Sequence, residues 1–122
     1  LIAAMDAVRE PFNVNSLAQA AGCAALDDAA FLERTRRLVR DGRRYLTNEL
    51  DALRLRHVPS VTNFILIRLG HGAAAVAEAL LQRGVIVREM GAWKLADCLR
   101  VTIGTMPENR QFIQELKRCL AR

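Results

Sequence analysis

Residues 61–69 form a nearly continuous apolar run that is rich in isoleucine and valine. A run of this kind is what a buried strand requires. It is bounded by the helix-breaking segment His57-Val-Pro-Ser60 and by the turn-forming segment Gly70-His-Gly72. Because a buried strand must be covered by other elements, the fold depends on what the flanking sequence supplies.

Further strands and helices are predicted around this run. Residues 85–88 form a second strand, and at 99–103 the apolar side chains alternate with Arg100 and Thr102 in a third. Apolar side chains at helical spacing predict helices at the N-terminus, at 17–26, 29–53 and 73–83, and after Thr105 as the closing element of the chain. We therefore expect an α/β (α+β-like) small domain, in which a small mixed or antiparallel sheet of about three strands is covered by helices.

Local signals place the ends of several helices. Ser16 with Gln19, and Thr105 with Glu108, have the form of capping boxes, and Gly84 is well placed as a C-terminal cap. Pro11 forbids continuation of the first helix and predicts an ordered connector. The chain begins within an apolar helical stripe without an initiator methionine, which is expected of a fragment of a longer protein or of a short processed protein.

The charge of the chain favours anionic partners. The formal net charge is +5, and arginine supplies almost all of the excess, since Lys94 and Lys117 are the only lysines. Arginines between positions 34 and 44 crowd the long helix, where Arg36, Arg40 and Arg44 repel one another. This face is either solvated or bound to an acidic or phosphate-bearing partner. A nucleic acid partner is disfavoured because aromatic residues make up only 5% and form no stacking platform.

The cysteines, the histidines and the hydropathy of the chain argue against a disulfide-bonded, metal-binding or membrane-spanning protein. Cys23, Cys98 and Cys119 show no Cys-x-x-Cys spacing, which predicts thiols in a reducing cytoplasm rather than disulfides or zinc. His57 and His71 have no acid or cysteine at metal spacing, so no metal site is expected. No apolar run approaches the roughly 20 residues of a membrane span, and a membrane partner is not expected.

Two arginines are the candidates for binding an anionic ligand. If strands 85–88 and 99–103 pair as a hairpin, Arg88 and Arg100 lie at the same mouth. Two guanidinium groups so close repel each other unless an anion lies between them, and a carboxylate or phosphate can accept paired N–H bonds from both. The alternative is that each arginine pairs internally with an acid such as Glu89 or Asp97.

Four segments resemble the histidinol-phosphate aminotransferase family, in order and in approximate spacing. They are Val8-Arg-Glu-Pro-Phe-Asn-Val-Asn15, Pro59-Ser-Val-Thr-Asn-Phe-Ile-Leu66, Arg83-Gly-Val-Ile-Val-Arg88 and Leu99-Arg-Val-Thr-Ile-Gly-Thr105. The resemblance covers essentially the whole chain and implies the C-terminal portion of a fold-type I aminotransferase. Residues 1–27 would be the end of the large domain and its connecting segment, and 28–122 the small C-terminal domain.

The resemblance also implies an activity and a site. The family transfers an amino group between histidinol phosphate and a 2-oxoacid in histidine biosynthesis, with pyridoxal phosphate as cofactor. Arg88 would help to hold the substrate phosphate, and Arg100 would bind the phosphate of histidinol phosphate or the carboxylate of glutamate. Asn13 would line the active site. The full-length enzyme would be a cytoplasmic homodimer.

The sequence lacks the residues with which the family anchors its cofactor. The Ser-Lys motif whose lysine forms the Schiff base is absent, and Lys94 has no serine before it. This chain alone is therefore expected to be catalytically inactive, since the electron sink would be missing. Related functions stay open, namely a threonine-phosphate decarboxylase, an aromatic aminotransferase or, from another class, a small basic nucleic-acid-binding module.

Overall fold

The computed structural model describes residues 1–9, 12 and 14–121, which divide into two compact units, Leu1–Arg34 and Thr35–Arg122. The helices are α1 (Ile2–Val8), α2 (Ser16–Leu26), α3 (Ala29–Ala52), α4 (Ala73–Leu81) and α5 (Met106–Leu120). The strands are β1 (Arg56–Val58), β2 (Phe64–Arg68), β3 (Arg88–Glu89) and β4 (Cys98–Thr102), and a short 3-10 helix (Gly91–Trp93) lies between the last two.

The sheet of the second unit is antiparallel and has the order β1-β2-β4-β3. The centre of the apolar run 61–69 forms the interior strand β2. This strand pairs with β4 over its whole length, from Phe64 opposite Thr102 to Arg68 opposite Cys98. The predicted fold class is confirmed, with one strand more than the three expected. The additional strand β1 lies at the edge of the sheet and overlaps the segment 57–60, which the sequence predicted only as a break.

One face of the sheet is covered by helices and the other is open. Ile65, Ile67, Leu99 and Val101 project from the covered face and are at most 5% exposed. They share a single core with apolar side chains of the second unit's helices, including Leu46, Leu50, Ala73, Leu80, Phe112, Ile113 and Leu116. The open face carries the alternate residues of the same strands, among them Arg68, Arg100 and Thr102 together with the apolar Phe64 and Leu66.

The helix ends follow the local signals with one correction. The Thr105–Glu108 capping box is formed, and hydrogen bonds from the Thr105 hydroxyl and backbone N–H lower the pKa of Glu108. The capping box predicted at Ser16 is wrong. The cap of α2 is Asn15, whose side-chain oxygen accepts from the N–H of Ala18 at 2.9 Å. Asparagine one residue earlier is an equally good cap, so the serine becomes the first helical residue.

The first unit contains α1, α2 and the beginning of α3. Its apolar side chains are exposed, for example Leu1 at 99%, Ile2 at 75% and Val8 at 83%. The apolar stripe that predicted α1 is therefore present as a helix, but the described residues provide it with no core. The stability of the chain consequently depends on the second unit.

Arg54 occupies a backbone conformation that favours glycine. Its φ is 57°, and the N–H of Leu55 donates to the carbonyl of Leu50 at 2.9 Å, which closes the end of α3 in the manner of a Schellman motif. An L-residue with a Cβ is disfavoured there by roughly 1–2 kcal/mol, against about 0.4–1 kcal/mol for the greater entropy of glycine in the unfolded chain. We expect Arg54→Gly to raise the free energy of unfolding by about 0.5 kcal/mol in a urea titration. A decrease would contradict this account of the helix end.

Candidate functional site

Arg88 and Arg100 are brought together by the register of β3 and β4. They are direct Cα partners in this antiparallel pair, so their side chains leave the same face of the sheet. Opposite residues in such a pair have Cβ atoms about 4.5–5.5 Å apart. The hairpin expected from the sequence is present, and it places both arginines on the open face. Arg88 is exposed and Arg100 is half-buried.

Each guanidinium group lies over an aromatic ring. The Cζ atom of Arg88 is 5.2 Å from the ring centroid of Trp93, and that of Arg100 is 5.3 Å from the ring centroid of Phe64. These distances are within the range of cation–π attraction, which restrains a guanidinium without neutralising it. Sequence reasoning missed both aromatic residues. The alternation of β2 could have identified Phe64, because it lies on the same face as Arg100, whereas Trp93 lies in a loop and gave no signal.

Neither arginine pairs with the acids considered as internal partners. The carboxylate of Glu89 accepts the N–H of Gly91 at 2.5 Å, and Asp97 accepts from the Cys98 thiol at 3.3 Å. Burial, and then the neighbouring Asp97, raise the pKa of the Cys98 thiol. Within residues 1–9, 12 and 14–121, Arg88 and Arg100 make no salt bridge. Their two positive charges therefore remain available to an external anion.

A cleft of about 420 Å³ opens beside the pair. It is lined by Arg88 and Arg100 together with Ile86, Val87, Glu89 and Thr102. A volume of this order suits a small molecule. The arrangement can bind an anionic group between the two guanidinium forks, while the two apolar side chains and the Thr102 hydroxyl contact the rest of the ligand.

Of the other residues considered as site candidates in the sequence, none that the structure describes lines this cleft. Asn13 is outside the residues that the structure describes. Lys94 is exposed at the end of the 3-10 helix, with a φ of 61°. His57 is bound by Asp51, with 3.0 Å between Nε2 and Oδ1, and the part of the chain that the structure describes holds no cluster of potential metal ligands.

The arginine-rich face of α3 is partly neutralised by its own helix. Asp41 Oδ1 lies 3.4 Å from the guanidinium groups of both Arg40 and Arg44, and Arg43 donates to the backbone carbonyl of Thr62. These contacts relieve the repulsion expected from the i, i+4 spacing. Across the described ranges, no helix has the length and apolar character required to cross a membrane.

Comparison with known proteins identifies the family. The family model for aminotransferase class I and II matches residues 1–116. A histidinol-phosphate aminotransferase from Symbiobacterium thermophilum is 50% identical over 98% of this chain, and histidinol-phosphate aminotransferase 2 from Pseudomonas fluorescens is 46% identical over 97%. These alignments cover 33% and 32% of the two relatives, so the chain spans about a third of their length.

Solved structures agree on the fold. The histidinol-phosphate aminotransferase from Sinorhizobium meliloti, solved in complex with pyridoxal-5'-phosphate, superposes with a TM-score of 0.78 at 24% identity. The match covers 97% of this chain and 33% of that one. The enzyme from Clostridium acetobutylicum gives a TM-score of 0.77 at 23% identity, over 95% of this chain and 36% of that one. The resemblance carried by the four sequence motifs is confirmed, and the chain belongs to the class I and II aminotransferase family.

Proposed function

We propose that this chain is the substrate-binding C-terminal portion of a pyridoxal-phosphate-dependent aminotransferase that acts on histidinol phosphate and a 2-oxoacid. In this proposal, residues 1–27 end the large domain and connect it to the small domain formed by residues 28–122. The observation that carries the proposal is the position of Arg88 directly opposite Arg100, in an open cleft and without an acid partner among the described residues. The names of the relatives that match the chain support the choice of substrate.

The two arginines divide the recognition of the substrate. Arg88, at the exposed edge strand, holds the phosphate of histidinol phosphate. Arg100, half-buried on the interior strand β4, binds either that phosphate or the carboxylate of glutamate in the second half of the reaction. A guanidinium fork can donate paired N–H bonds to both groups, which allows one site to accept two different anions.

Pyridoxal phosphate, when bound, supplies the electron sink of the reaction. The residues of this chain do not fit the anchor of that cofactor. No lysine lines the cleft at Arg88 and Arg100, the Nζ atom of Lys117 is held 2.7 Å from Glu49 Oε2, and Lys94 is exposed on its loop. We assign the anchor to the remainder of a cytoplasmic, homodimeric protein, and we expect the 122-residue chain alone to lack transaminase activity.

Binding of histidinol phosphate to the 122-residue chain tests the site directly. In an NMR titration, the Nε–Hε signals of Arg88 and Arg100 should shift together as the ligand is added. Arg88→Gln and Arg100→Gln should each weaken binding by about tenfold, because each removes charge-assisted hydrogen bonds to the anion. Arg100→Lys should weaken binding less than Arg100→Gln, since it retains the charge and loses only the fork.

The matched control is Arg110→Gln, which removes an exposed arginine from α5. It changes the net charge equally and should leave the affinity unchanged. If Arg110→Gln weakened binding as much as the two site variants, the attraction would come from net charge alone and the assigned site would be wrong.

The choice of substrate requires the complete protein that contains this chain. With pyridoxal phosphate present, it should transaminate histidinol phosphate and not process phosphothreonine. Turnover of phosphothreonine alone would assign the same arginines to a threonine-phosphate decarboxylase. Turnover of aromatic amino acids in preference to histidinol phosphate would assign them to an aromatic aminotransferase.

A further inference from the structure

The open face of the sheet carries an arginine from every strand. Arg56 of β1 is the direct Cα partner of Arg68 of β2, just as Arg88 of β3 is the partner of Arg100 of β4. Arg100 pairs with the residue two positions before Arg68, so these two are diagonal neighbours, roughly 7–8 Å apart. The four arginines therefore occupy neighbouring positions on one face of the sheet, and only Arg88 and Arg100 belong to the site described above.

A second cleft, of about 590 Å³, lies at the opposite edge of the sheet. Arg54, Arg56 and Arg68 line it, and Leu55 and Pro59 are among the other lining residues. In the portion of the chain that the structure describes, none of the three arginines makes a salt bridge. The cleft thus brings together three arginines that form no ion pair within the described residues.

One acid also lines this cleft, and it is engaged. Asp51 Oδ1 lies 3.0 Å from Nε2 of His57, and the Asp51 side chain is 69% exposed. Its charge is directed to the imidazole and to solvent and does not bridge the arginines. The electrostatic character of the cleft is therefore set by the guanidinium groups.

Protection of the sheet edge does not account for the whole group. Charged residues on an edge strand oppose strand-to-strand aggregation, and this explains Arg56 on β1. It does not explain Arg68, which lies on an interior strand, or Arg54, which precedes the strand. Arg54 also occupies the left-handed conformation where glycine would be more stable. The three arginines have in common only the cleft that they line.

We propose that Arg54, Arg56 and Arg68 form a second anion site, which binds the phosphate group of a small molecule. Phosphate is favoured over carboxylate because three guanidinium groups offer more donors than the two oxygens of a carboxylate can accept from, whereas phosphate oxygens accept from several directions. A concave site with an apolar wall suits a terminal phosphate better than the continuous backbone of a nucleic acid. The site is independent of the substrate role proposed for Arg88 and Arg100.

Titration of the 122-residue chain with inorganic phosphate, followed at the arginine Nε–Hε signals, tests this site. The signals of Arg54, Arg56 and Arg68 should shift together with one dissociation constant. The double variant Arg56→Gln and Arg68→Gln should raise that constant at least tenfold and leave the response of Arg88 and Arg100 intact.

Arg54→Gly separates binding from folding. It should weaken phosphate binding at this site severalfold while the melting temperature stays the same or rises, because the backbone conformation of residue 54 suits glycine. Arg110→Gln is the matched control and should change neither property. Affinity for phosphate that survives Arg54→Gly and the double variant unchanged would overturn the site.

The outcomes distinguish the two anion sites and the class of ligand. Shifts confined to Arg88 and Arg100 would overturn this inference and leave the proposed function standing, whereas shifts confined to Arg54, Arg56 and Arg68 would do the reverse. Acetate binding as tightly as phosphate would overturn the phosphate assignment. A single-stranded oligonucleotide that shifts the three arginines at lower concentration than a phosphomonoester would replace the small molecule with a nucleic acid.

Discussion

Leu116→Ala should lower the free energy of unfolding of this chain by about 3 kcal/mol, within the range of 2–5 kcal/mol typical of buried leucines. Leu116 lies on α5 and is 0% exposed, in the same core as Leu99 and Phe112. Truncation removes three side-chain carbon atoms, leaves only the Cβ methyl group, and creates a cavity that the surrounding sheet and helices can fill only partly. Because alanine has a higher helix propensity than leucine, the loss would come from the core and not from the helix.

Leu120→Ala is the matched control for this measurement. Leu120 lies one turn further along the same helix and is 41% exposed. Its truncation should cost less than about 1 kcal/mol, since much of its surface is already in water. Equal losses in urea denaturation for the two variants would mean that the core does not lie where the structure places it.

The hydrophobic pattern was sufficient to predict the interior of this fold. The apolar run of β2 and the alternation of β4 identify the two central strands, because buried positions in a strand require apolar side chains. The long helix α3 was predicted to within a residue of its observed end at Ala52 for the same reason. Elements that bury a continuous face are those that a sequence can reveal.

The edge strands were harder to predict because they are held mainly by backbone hydrogen bonds, which impose little pattern on the side chains. β1 consists of Arg56, His57 and Val58, of which only the histidine is half-buried, and its hydrogen bonds to β2 leave no apolar pattern. β3 was expected at residues 85–88 but is formed by Arg88 and Glu89. Residues 85–87 are apolar and therefore suggested a strand. The chain is still connected to the end of α4 there, since the N–H of Val85 donates to the carbonyl of Leu80, and strand pairing begins only at Arg88.

The candidate site, like the sheet, could be predicted only in part from the sequence. The sequence predicted that Arg88 and Arg100 lie near the same mouth if their strands pair as a hairpin, and the observed register places them directly opposite each other. The rings of Trp93 and Phe64 beneath the guanidinium groups depend on side-chain placement that the sequence does not encode locally. The second arginine cluster requires the register of β1, so it could not be inferred before that strand was known.

Asn109→Ala should lower the free energy of unfolding by about 2–3 kcal/mol. Asn109 lies on α5, is 3% exposed and holds both backbone groups of Gly104. Its Oδ1 accepts the N–H of Gly104 at 3.0 Å, and its Nδ2 donates to the Gly104 carbonyl at 2.9 Å. Removal of the amide leaves two half-buried backbone groups without their partner, and each such loss costs about 1–3 kcal/mol where water does not replace the bond. Asn48→Ala, an exposed substitution on α3, should change stability by less than about 0.5 kcal/mol.

Asn109→Asp distinguishes the loss of a hydrogen-bond donor from the loss of packing. The side chain keeps its size and its acceptor for the Gly104 N–H, but the ionised carboxylate cannot donate to the Gly104 carbonyl and repels it. Protonation restores a donor, so the pKa of the introduced acid should be raised in the folded protein and the variant should approach wild-type stability as the pH falls through that pKa. The destabilisation relative to wild type should grow as the pH rises. Gly42 fixes this geometry from α3, because a Cβ atom there would lie 2.7 Å from Asn109 Nδ2. A destabilisation by Asn109→Asp that is independent of pH would show that packing against Gly42, and not the donor to Gly104, is what Asn109 contributes.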